Sequence, residues 1–148
     1  MTKAELILAL INQQQSKIKE LQTFFHSLNE SLLNEQKSSA GDKHEVSRSM
    51  VHLEQEKIAH QLVLLKEQLT LLLEIKEIGG NTSIQRGSLI HLEGVMILLG
   101  VALGQTKVND NQVISIGMSA PIVKVLITKK IGDQIDLMNE KRKIIAID

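Results

Sequence analysis

The chain has 148 residues, enough for one ordinary domain or two small ones. Its 17 lysines and arginines are balanced by 17 aspartates and glutamates, so no global charge argues for nucleic acid or an anionic membrane. Cysteine is absent, which excludes disulfides and thiolate catalysis, and the only aromatic rings besides histidine are Phe24 and Phe25, so no Phe, Tyr or Trp platform for stacking bases lies after residue 25.

The start, Met1-Thr2-Lys3-Ala4-Glu5, carries an early acid and lacks the apolar core of a signal peptide. The longest apolar run, Val95 to Leu103, is interrupted by Gly100 and falls far short of the ~20 residues needed to span a bilayer. A soluble cytoplasmic protein with no membrane partner is expected.

Residues 3 to about 36 carry a heptad pattern. Ala4, Ile11, Ile18, Phe25 and Leu32 fall on one seven-residue series. Ile7, Leu21 and Leu28 fall on the series three later, with Gln14 and Glu35 as its polar members. Apolar residues on both series make a coiled-coil seam. Residues 46 to about 78 repeat the pattern, with Val51, Ile58, Leu65 and Leu72 on one series and Leu62 and Leu69 on the other. Between them, Lys37 to Gly41 breaks the period with two Ser and a Gly. Two helices joined by a short loop fold back as an antiparallel pair. At about 1.5 Å per residue, each arm reaches roughly 45–50 Å. Leu62-Val63-Leu64-Leu65 and Leu71-Leu72-Leu73 cannot all face one seam, so the base of the second arm is expected to pack on a second domain as well.

Gly79-Gly80-Asn81 ends the helix, and residues 79–82 read as a hinge. Residues 83–148 then read as a small domain. Ser88 to Leu92, Val95 to Leu103 and Gln112 to Ile116 read as strands, with turns at Glu93-Gly94 and Asn109-Asp110-Asn111. Ser119 and Pro121 open a short helix over 119–128 that Gly132 follows. Gln134 to Met138 and Arg142 to Ile147 close the chain as a hairpin. The expected fold is α+β: an antiparallel helical hairpin over 1–78, then a small antiparallel sheet with one short helix.

The expected acidic tip of the hairpin, residues 38–46, carries the pattern of most chemical interest in Gly41-Asp42-Lys43-His44-Glu45. Asp42 and Glu45, three residues apart, have two readings. They match a capping box at the start of the second helix. They also match a pair of hard oxygen donors for a divalent cation. The readings can coexist, because a cap fixes tip geometry. His44-Glu45 begins like a zinc-protease helix, but Val46-Ser47-Arg48 follows where a second His is required. His52 and His60 read as helix surface or seam, and Lys129-Lys130 and Lys141-Arg142-Lys143 as solvated turns.

Two segments resemble the Gre transcript-cleavage factors of bacterial RNA polymerase. Gly41-Asp42-Lys43-His44-Glu45 resembles that family's Gly-Asp-x-x-Glu tip loop. Ile114 to Ile122, followed by Leu126 to Asp133, resembles its strand, its Ser-Pro-Ile helix start and its Gly-Asp turn. The resemblance implies an FKBP-like C-terminal domain that docks on bacterial RNA polymerase, and a hairpin that passes down the secondary channel to the 3′ end of the nascent RNA. It implies that Asp42 and Glu45 assist catalysis in trans by sharing a Mg²⁺ with the polymerase. Lys43 and Arg48 become candidates for contacting RNA or polymerase. No cofactor in the free protein, no small-molecule substrate and no catalysis by the chain alone are expected. Other channel-binding proteins regulate polymerase without cutting RNA, and a coiled-coil interaction scaffold is a third reading. Residues 1–80 hold 9 basic and 11 acidic side chains, so the coil lacks the basic character typical of that family.

Overall fold

The two heptad segments are α-helices, α1 (Lys3–Glu35) and α2 (Gly41–Lys76), in a computed structural model of the chain. It describes every residue except 36–40 and 81, and only the backbone of residues 35 and 41–44. The chain divides into two compact units, residues 13–67 and residues 1–12 with 68–148.

In residues 13–67, Ile18 and Ile58 are buried in the seam, flanked by half-buried Leu21, Phe25, Leu28, Val51, Leu62 and Leu65. The antiparallel sense shows in two polar contacts. Gln14 Nε2 donates to the Leu65 carbonyl at 3.3 Å, and Gln55 Nε2 to Asn29 Oδ1 at 2.5 Å. Both glutamines are buried, at 2% and 8% exposure. Gln55 lies seven residues before Leu62 and Arg48 seven before that, so this seam series turns polar towards the start of α2. Val46, Met50 and Leu53 lie on the opposite face of α2 and are exposed.

The second unit is built on a sheet of six strands: β1 (Leu89–Leu92), β2 (Val95–Leu99), β3 (Gly104–Val108), β4 (Asn111–Ile116), β5 (Gln134–Leu137) and β6 (Glu140–Ile147). Their order across the sheet is β3-β4-β2-β1-β6-β5. The sheet is mixed rather than wholly antiparallel. β2 and β4 run parallel, with Met96 opposite Val113, and every other pair is antiparallel. The cause is β3, a strand absent from the sequence reading. The apolar run ends as a strand at Leu99, the chain turns through Gly100 at φ 122°, and Gly104–Val108 forms a hairpin with β4 through Asn109 and Asp110, both at positive φ. That hairpin brings β4 back beside β2 in the same direction.

The one short helix, α3 (Pro121–Leu126), is narrower than the expected 119–128. Ala120 is its N-cap and makes no side-chain capping bond, so Ser119 does not cap it. Pro121 supplies the start through its fixed φ and missing N–H.

Alternating strand residues face two cores. On one face, Leu89, Met96, Leu98 and Val113 pack with Leu6, Ile7, Leu10, Ile11, Leu72 and Ile75 from the ends of α1 and α2. On the other, Ile90, Ile97, Leu99 and Ile114 pack with Val123 and Leu126 of α3 and with Ile135 and Ile144. The apolar surplus at the base of α2 is only partly taken up: Leu72 and Ile75 are fully buried against the sheet with Leu71 packed beside them, whereas Val63, Leu64 and Leu73 stay exposed. No described helix is long and apolar enough to cross a membrane.

Candidate functional site

Gly41 opens α2, which puts Asp42 and Glu45 in its first two turns, three residues apart and on one helical face. Partial positive charge at a helix N-terminus favours carboxylates there, whether or not a metal is bound. Glu45 is exposed, and so is Arg48 one turn further on. The side chains of Asp42, Lys43 and His44 lie outside the described residues. The backbone therefore places the two acids on one face, and the described side chains supply Glu45 and Arg48 as solvent-facing groups.

A carboxylate is the right donor for a hard cation. Among the described residues, no three His, Asp or Glu side chains converge to hold a metal ion. Two acids by themselves make at most half of a divalent-cation site.

The other sequence candidates take structural positions. His52 and His60 are exposed on α2. Arg142 is half-buried and donates to the Glu93 carbonyl and to Glu140, so it secures the β1–β2 turn to β6. The Lys130 amide donates to Asp133 Oδ2 at 2.8 Å in the turn before β5. Phe24 and Phe25 are both on α1, so no aromatic ring besides His91 belongs to the sheet unit.

One group of residues escaped the sequence reading. Lys3 on the first turn of α1 reaches the end of α2, donating from Nζ to the Ile78 carbonyl at 3.0 Å and to the Gly79 carbonyl at 3.4 Å. Burial lowers its pKa below the usual lysine value, and the nearby charge of Asp148 partly offsets this. His91 Nε2 pairs with Asp148 Oδ2 at 2.7 Å. These residues are more than 50 positions apart in sequence, and no local motif joins them.

No protein family, curated protein or solved structure matches this chain.

Proposed function

We propose that the chain is an accessory factor of bacterial RNA polymerase that supports cleavage of backtracked RNA through Asp42 and Glu45. The observation that carries this reading is the pair of acid positions on one face at the start of α2, with Glu45 open to solvent, in a chain whose helical hairpin is followed by a small α+β unit. A Mg²⁺ shared with the polymerase would supply Lewis-acid chemistry and an activated water. The chain's own part is to present carboxylate oxygens at the start of α2, where the partial positive charge of the helix end favours anionic groups. Arg48, exposed beside Glu45, would meet RNA phosphate or the polymerase wall. The FKBP-like reading of the sheet unit belongs to the same proposal, as does a cytoplasmic location.

A second reading, occupation of the channel without cleavage, is favoured by a different observation. The face of α2 next to the acids exposes Val46, Met50 and Leu53 where phosphate contact would call for basic residues.

RNA length over time in stalled, backtracked elongation complexes decides between them. Wild type should shorten the RNA at fixed Mg²⁺, and Asp42→Ser and Glu45→Gln should each lose at least tenfold in rate while remaining folded. Asp42 follows Gly41 inside the first turn of α2 and is not at the N-cap that the capping-box reading expected, so a loss in Asp42→Ser cannot be charged to a lost N-cap. Wild type that binds polymerase without shortening the RNA would leave the regulator reading. Wild type that neither binds nor cuts would sink both.

A further inference from the structure

A cavity of about 580 Å³ opens among the first turn of α1, the last turn of α2 and the segment Ile78 to Gly80. Its volume falls within the roughly 300–1,000 Å³ typical of small-molecule sites. Met1, Ala4, Ile7 and Ile78 give it apolar walls, and Lys3, Lys76 and Asp148 supply its charges. Among the side chains of the lining, two ammonium groups stand against one carboxylate, an excess of one positive charge. Lys3 has three N–H donors, of which the Ile78 and Gly79 carbonyls take two, so one remains for a ligand.

We propose that this cavity binds a small organic anion with an apolar body, its acid head held by Lys3 and Lys76 and its body against Ala4, Ile7 and Ile78. The inference is independent of the polymerase reading and survives its failure.

The electrostatics favour that choice of ligand over its relatives. The Lys3 ammonium is under-solvated, which is why its pKa is lowered, and a bound anion restores the lost solvation. A neutral ligand of the same shape gains only the apolar contact. A cationic one meets two like charges. Perturbed ionisation beside apolar walls is the combination that marks ligand sites.

The test compares three eight-carbon probes, octanoate, octanol and octylammonium, by calorimetry and methyl NMR on the full chain. Octanoate should bind saturably and at least tenfold more tightly than octanol, with shifts confined to the methyls of Met1, Ala4, Ile7 and Ile78. Octylammonium should not bind. Lys76→Gln should weaken octanoate by about fivefold or more with the melting temperature unchanged. Lys3→Gln should weaken it further, and if that variant unfolds the Lys76 result decides alone. Equal affinity for octanoate and octanol, shifts elsewhere on the protein, or an unaltered Lys76→Gln would overturn the proposal.

Discussion

At Gly100 the backbone sits at φ 122°, and a Cβ there would come within 2.8 Å of Ile75 Cδ1 and 3.2 Å of Arg86 Cγ. The missing side chain is what lets α2 lie close on the turn after β2. Gly100→Ala should therefore cost about 2–4 kcal/mol, from backbone strain and a crowded neighbour together, read as a shift in urea midpoint. Lys3 makes the second residue-scale prediction. Its folded pKa lies below its unfolded value, so over the window from that lowered value up to the ordinary 10.5 the unfolded chain binds more protons. Stability contributed by this site thus rises with pH through that window. Wild type should gain on Lys3→Met as pH is raised towards 10.5, measured as the difference in unfolding free energy between the two proteins.

For α1 and α2, the burial pattern separates seam from surface. Ile58 is 2% exposed and Leu53 65% exposed, though both are apolar residues of α2. Ile58→Ala should destabilise the hairpin by about 2–4 kcal/mol, and Leu53→Ala should stay within about 0.5 kcal/mol, by thermal unfolding. Gln14 and Gln55 are polar members of an apolar seam. Such residues fix register at some expense of stability. Gln14→Leu should raise the melting temperature and introduce self-association detectable by sedimentation.

The helices were legible in the sequence because their period is long and repeated, and the residues on it are the ones the seam buries. β3 was not. Gly104-Gln105-Thr106-Lys107 has no apolar alternation because the strand lies at the sheet edge and its side chains are mostly exposed. Missing it also hid the parallel pairing of β2 with β4. Ser119 looked like a cap, yet the proline two residues later set the start of α3 without one. Asp42 and Glu45 were singled out from their three-residue spacing and the resemblance, both local signals, and the structure puts both positions in the first turns of α2 rather than in a loop. The cavity was not, since its lining runs from Met1 to Asp148 and only the tertiary fold assembles it.

For the whole molecule, the compact unit that holds the sheet includes residues 1–12 and the end of α2. A fragment starting at residue 83 would bare the sheet face of Leu89, Met96, Leu98 and Val113, which the helix ends cover. That fragment should show no cooperative unfolding transition and should aggregate. Replacing residues 13–67 with a short Gly/Ser loop should keep a cooperative transition, because the internal core is retained.

That shared core also orders events during synthesis. Leu6 and Ile7 emerge some 90 residues before Leu98, their neighbour in the finished core, a wait of about 5–20 s at ordinary translation speeds. A disordered loop of that length would make the closing contact slow. Pairing of α1 with α2 removes most of that loop beforehand. The hairpin is thus a clasp that brings the chain's early residues to the place where its late strands will need them.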